Sequence, residues 1–362
     1  MRHTNIAIAL TAALLAGHAV AEEQVNIYNW SDYISSETIP EFEKATGINV
    51  RYDMYDSIQM AETKLLTGNS GYDVVVYDGS NPKVKQQIQA GAFQKLDLAK
   101  LPNYKNLSEQ SKKWVSVYDE KKEYGVPYLW GTIGIGYNPD LVKKYAGNVP
   151  TDSWSMLLDP EVASKLGQCG LTLIDEPIEV YAATLSYLGK DPSVMSSENL
   201  KLVETHLKKI RPYITYFSSS KIISSLANGD VCVSQGYSGD VMIARDRADE
   251  ADKGVHVSYS IPKEGSIVFF DAMYIPRDAK NIDQAHKFIN NILEPKVGAA
   301  QSNYVFFASP NKEATPYLLD EVKNDPGIYP SDQVVDKLYP KPEYDSKFGR
   351  KLMRMWNSFK AG

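Results

Sequence analysis

The sequence predicts an α/β fold arranged as two lobes, and three observations carry that reading. Short β-branched or aromatic runs alternate with amphipathic helical patterns along most of the chain. The stretch "PYLWGTIGIGYNP" breaks the series, with Pro127 followed by Gly131, Gly134 and Gly136, and a second α/β series begins beyond it. The length, 362 residues, is enough for two domains.

Taken in order, "VNIYNW" is the first strand, and the helical "SETIPEFEKATG" follows it, with Pro40 early and Gly47 closing it. "VRYDMY" precedes the helical "SIQMAETKLLTG", and "YDVVVY" precedes "NPKVKQQIQAG". Strand, helix, strand in this rhythm predicts mainly parallel sheets flanked by helices, whose ligands bind beyond the carboxyl ends of the strands. The second series runs through "LTLID", "ITYFS" and "VCVSQGYSGD". Then "VHVSYSIPKEGSIVFFDAMYIP" supplies adjacent strands around a Pro-Lys-Glu-Gly turn. Extended connections near residues 128 to 136 and 255 to 265 join the lobes into a clamp. The expected division is 1–21 as a leader, 22–130 with about 260–305 as lobe 1, 131–259 as lobe 2, and 306–362 as a C-terminal helical segment packing on both.

Arg2, the apolar stretch Ile6 to Leu15, and Ala19 and Ala21 in an A-x-A pattern read as a secretory signal cleaved after about Ala21. The apolar run is too short to span a bilayer. Lys plus Arg is 39 against 45 for Asp plus Glu, a net charge of -6. That mild acidity argues against a nucleic-acid partner and suits a cationic ligand. Cys169 and Cys232 are the only cysteines, and an even pair in an exported chain points to a disulfide rather than a metal site.

Enzyme motifs are missing. There is no H-E-x-x-H, G-x-S-x-G or P-loop, and Gly131, Gly134 and Gly136 do not follow the dinucleotide fingerprint. His206 and His286 fall in helical contexts where a solvated histidine is expected. A hydrolase acting on an amine or amide stays as the alternative class, and no cofactor or metal is called for.

The carboxylates say more. Asp271 interrupts the apolar "IVFFDAMYI", where an unpaired charge would cost several kcal/mol. It needs a cation, from an internal Arg or Lys or from a ligand. Strand alternation puts Phe269 on its face and Phe270 on the other. A carboxylate beside an aromatic ring suits an ammonium group. The pairing recurs at "NWSDY" and at "QGYSGDV", where Asp240 is alternatively a helix N-cap. It recurs at "IDEPIEVYAA", where Asp175, Glu176 and Glu179 also suit a helix start.

"IYNWSDYI", "FEKATGI", "PYLWGTIGIGYNP", "DSW", "LANGDVCV", "GYSGD", "IPKEG", "FFD", "NKEATP" and "NDPGIYP" closely resemble the polyamine-binding receptors of bacterial ABC importers, especially the putrescine-binding type. The likeness runs in register from about Gln24 to the C-terminus. It implies a type II periplasmic clamp that is no enzyme, works as a monomer, captures putrescine, spermidine or a close relative, and delivers it to an inner-membrane permease. It also implies a bridge between Cys169 and Cys232. Carried over by position, the ligand site falls on Trp30, Ser31, Asp32, Tyr33, Asp78, Glu179, Tyr237, Asp240, Phe269, Asp271 and Phe307, with Glu176 beside them. Asp32 would receive an amine and Trp30 would cover the methylene chain. Against the putrescine-type pattern, Asp78 replaces a serine, Glu176 a small residue, Tyr237 a tryptophan and Phe307 a tyrosine. The two added carboxylates predict room for a third ammonium or a guanidinium, hence spermidine or agmatine binding at least as well as putrescine. A clamp for an amino acid or peptide would need a cation aimed at the ligand carboxylate, and none is among the matched positions.

Overall fold

The computed structural model describes residues 23–362, so the leader and its cleavage point lie outside the described residues. Ten strands form one hydrogen-bonded array: β1 Gln24–Trp30, β2 Asn49–Tyr55, β3 Val74–Asp78, β4 Val126–Tyr137, β5 Leu171–Leu173, β6 Ile214–Phe217, β7 Val233–Tyr237, β8 Ser258–Ser260, β9 Ser266–Tyr274 and β10 Leu338–Tyr339. Their order is β2-β1-β3-β9-β4-β7-β5-β6, with β8 on β4 and β10 on β9. The array divides within β4. Residues 126–132 of that strand pair with β9, and Ile133–Tyr137 pair with β7. One strand therefore belongs to both lobes.

The outer strands are parallel, as the rhythm predicts, in the pairs β1–β2, β1–β3, β5–β6 and β5–β7. The seam is antiparallel, in the pairs β3–β9, β4–β9 and β4–β7. The sheets are thus mixed rather than mainly parallel. A chain that leaves lobe 1 along β4 and returns along β9 runs the two strands in opposite directions. The Pro-Lys-Glu-Gly turn forms, with the Gly265 N–H donating to the Pro262 carbonyl at 3.0 Å and Gly265 at φ 99. Its flanking strands do not pair with each other; β8 and β9 each pair with a different stretch of β4.

Local signals explain the elements. The helix Thr38–Thr46 buries Thr38 and Phe42 and ends at Gly47, whose φ of 71 is the left-handed C-terminal stop that glycine adopts without strain. β3 is buried through Val74–Tyr77 because helices cover both faces. Lobe 1 packs Val25, Ile27, Phe42, Val74, Phe288 and Ile292 together. Lobe 2 has its own core, with Leu171, Ile178, Leu207 and Val233, and the Cys169–Cys232 disulfide joins its layers.

In the C-terminal region the short helical elements Lys312–Tyr317, Asp320–Lys323 and Asp332–Val335 lead to β10 and then to the helix Ser346–Ala361, which sets Phe348, Leu352, Met355, Trp356 and Phe359 into the lobe 2 core. Its far end is held by the Arg211 guanidinium, which donates to the carbonyls of Phe359 and Lys360 at 2.9 and 2.7 Å. Two histidine expectations are corrected. His206 is buried against the Leu158 carbonyl at 2.7 Å, and His286 bonds both the Asp97 N–H and the Ile282 carbonyl. Both imidazoles are thus buried and bonded to backbone groups rather than solvated.

Candidate functional site

In lobe 1, β1 ends at Trp30 and the chain turns through Ser31 and Asp32, with Asp32 at a left-handed φ of 54. That turn sends Tyr33 back inward. The Tyr128 hydroxyl and the Asn29 amide both donate to the Tyr33 carbonyl, at 2.6 and 3.2 Å. So fixed, Tyr33 donates its hydroxyl to one oxygen of Asp271 at 2.9 Å, while the Trp30 indole N–H donates to the other at 3.0 Å. Asp271 is 6% exposed, and its two hydrogen-bond partners are neutral. It also lies directly opposite Asp78 in the β3–β9 ladder. Burial, and then the Asp78 charge, push its carboxyl up to about 7 against the pull of the two donors.

Lobe 2 brings Glu176, Glu179, Tyr237 and Asp240 to the same space. Glu179 stands in the first turn of the helix Pro177–Tyr187, and the Tyr237 hydroxyl donates to it at 3.1 Å. Neither proposed cap is used as one. Glu176 precedes its helix without a side-chain capping bond, and the helix Ser238–Ala251 that carries Asp240 also has no side-chain cap. Burial raises Asp240 to about 7. Burial, and then the charge of Glu179, raise Glu176 to about 7. Asp175 parts from this group, accepting from the Trp356 indole at 2.8 Å and from Lys360, and so anchors the C-terminal helix.

Aromatic rings close the space. Phe269 meets Tyr237 and Phe307 edge-on, with centroids 5.4 and 5.5 Å apart, and Phe307 meets Tyr33 at 5.6 Å. Phe270 faces away into a separate cluster with Tyr77 and Tyr274, as strand alternation predicts. Ser31 and Asp32 stand apart from the buried group: both are exposed, and the Ser31 hydroxyl bonds Asp56 at 2.5 Å.

One participant escaped the sequence reading. The Lys341 ammonium lies 3.2 Å from Asp78 and 3.0 Å from Glu179, so a residue of the C-terminal segment bridges a lobe 1 strand and a lobe 2 helix. Burial alone would lower its pKa, but Asp78, Glu179 and Glu176 hold it well above the usual lysine range, so it is charged. The Tyr118 hydroxyl fixes the Lys341 carbonyl at 2.7 Å, and Pro340 and Pro342 restrict the backbone on either side. "YPKPEY" has neither helical nor strand periodicity. Its only signal is a lysine locked between two prolines.

Residues 37–330 match the family described as bacterial extracellular solute-binding protein. The chain is 48% identical to the putrescine-binding periplasmic protein SpuD of Pseudomonas aeruginosa, over 98% of this chain and 97% of that one. It is 46% identical to the putrescine-binding periplasmic protein PotF of Escherichia coli, over 99% and 96%. Its structure superposes on the spermidine/putrescine substrate-binding protein PotD of Streptococcus pneumoniae with a TM-score of 0.82, at 26% identity, covering 94% of this chain and 99% of that one.

Proposed function

The chain belongs to the bacterial extracellular solute-binding proteins, and from that premise we propose that it is a periplasmic receptor for a short diamine of the putrescine type, handing it to an ABC permease. The observation that carries the ligand class is Asp271, a buried carboxylate held by two neutral donors inside an aromatic box. An ammonium group there gains a charge-assisted hydrogen bond and the faces of rings. Asp240 and Glu176 on the opposite wall supply the second anion, so a ligand with an ammonium at each end ties the lobes together. Closure then follows from differential affinity for the closed state.

Lys341 removes the ground for a third ammonium. The charge that Asp78 would offer to spermidine or agmatine is met by the chain's own lysine. The preference proposed is therefore for two-ammonium ligands over spermidine, reversing the ranking that the added carboxylates suggest. γ-Aminobutyrate, whose carboxylate would face these anions, is the poorest ligand. Isothermal titration with putrescine, cadaverine, spermidine, agmatine and γ-aminobutyrate tests the reading. The expected result is one-to-one binding, tightest for a diamine. Tight binding of γ-aminobutyrate with none of putrescine or cadaverine would sink it.

A further inference from the structure

Gly131 and Gly239 occupy positions where the backbone does not require glycine. Neither is among the residues with positive φ. Gly131 lies inside β4 and Gly239 in the first turn of the helix Ser238–Ala251, two settings that glycine weakens. Both lie against the same ring. A Cβ built on Gly239 would stand 2.5 Å from Cε2 and Cζ of Phe307, and 2.7 Å from its Cδ2. A Cβ on Gly131 would stand 2.8 Å from Cδ1 of Phe307, 2.8 Å from Cζ of Phe269 and 2.7 Å from the Ser238 hydroxyl.

The ring cannot retreat through its own backbone. Phe306 before it is at a left-handed φ of 57, Ser302 donates its hydroxyl to the Phe307 carbonyl, and Ala308 after it exchanges two backbone hydrogen bonds with Trp130 at 2.9 and 3.0 Å. A methyl group added at Gly239 therefore presses the ring against its remaining neighbours, Tyr33 and Phe269, which belong to the aromatic box.

We propose that Gly131 and Gly239 form a two-sided seat for Phe307, and so set how far the aromatic box reaches toward the ligand's methylene chain. The two glycines are positioning residues that act through the ring. The inference rests on the cleft being the amine site, and adds to it the residues that fix its width. The seat joins the strand shared by both lobes to a lobe 2 helix, while Phe307 packs in the lobe 1 core.

Gly239→Ala, Phe307→Leu and the double variant test it, each by putrescine titration and by urea unfolding without ligand. Alanine is the better helix residue, so a loss in Gly239→Ala cannot come from helix propensity. The expected result is putrescine binding weakened roughly tenfold or more by Gly239→Ala alone, and by less than about threefold when Phe307→Leu is already present, because the shorter side chain lacks Cε2 and Cζ, the atoms nearest the added methyl, and its flexible branch can turn away. The unfolding midpoints should show the same coupling. Equal effects of Gly239→Ala with and without Phe307→Leu, in titration and unfolding alike, would overturn the seat. Wild-type protein that binds no amine would overturn the amine reading instead, and the unfolding cycle would still decide the seat.

Discussion

Asp271 in lobe 1 and Glu179 in lobe 2 are both buried carboxylates that accept a tyrosine hydroxyl, yet only Glu179 is directly ion-paired, with Lys341 at 3.0 Å. Asp271 is held by Trp30 and Tyr33, which stabilise a carboxylate without neutralising it. The difference teaches that a buried anion in a cleft has two meanings. On the proposed reading, one neutralised by the chain is structural, whereas one held by neutral dipoles is left for a ligand's charge. Asp78 sits between the two cases, opposite Asp271 in the ladder and paired with Lys341.

The largest effect should come from removing the internal cation. Lys341→Met leaves Glu179 and Asp78 without their partner, and should lower ligand-free stability by about 3 kcal/mol, read from urea unfolding. The same variant should gain affinity for spermidine relative to putrescine, and an unchanged ratio would break the contrast between the two walls. Asp271→Asn should do the opposite. It should cost about 1.5–3 kcal/mol of diamine binding by titration while leaving ligand-free stability equal or higher, since the asparagine carries no buried charge.

A smaller effect follows from pH. Asp271, Asp240 and Glu176 each titrate at about 7, above the ordinary carboxyl range, so the folded protein holds more protons than the unfolded chain between about pH 4 and pH 7. These three groups therefore subtract stability from the ligand-free protein as pH rises through that window. A diamine stays protonated throughout and favours the ionised carboxylates. The rise in melting temperature on adding putrescine should accordingly be greater at pH 8 than at pH 6. Equal rises would show that these carboxylates do not govern binding.

The smallest effect concerns an anion that the chain satisfies outside the cleft. Asp175→Asn weakens the contacts to Lys360 and the Trp356 indole. Because both charged partners are partly exposed, the loss should be about 0.5–1 kcal/mol, with diamine affinity unchanged. A fall in affinity would mean that Asp175 belongs with Glu176 after all.

Much of this was legible in the chain. Alternation placed Phe269 and Asp271 on one face, and the strand-and-helix rhythm found β1, β2 and β3. What escaped was non-local. Nothing around Lys341 announces that Tyr118, far back in the sequence, holds its carbonyl, or that β10 lays the segment along β9. The antiparallel seam was hidden for the same reason, since β8 and β9 look like a hairpin until β4 competes for both. His206 and His286 read as surface residues because helical periodicity cannot reveal that a neighbouring carbonyl or N–H needs a partner.

The β3–β9 ladder also sets an order of assembly. Asp78 and its partner Asp271 are 193 positions apart (271 minus 78), and all of lobe 2's own strands lie between them. As the chain emerges from its N-terminus, β1, β2 and β3 are available long before the strand that completes their sheet. β3 keeps an unpaired edge until β9 arrives, whereas lobe 2 lacks no strand by then. The carboxylate proposed to receive the ligand is carried on that late strand, so a nascent or truncated chain ending before Ser266 has every strand of the second lobe, but neither the C-terminal helix that fills its core nor a functioning receptor.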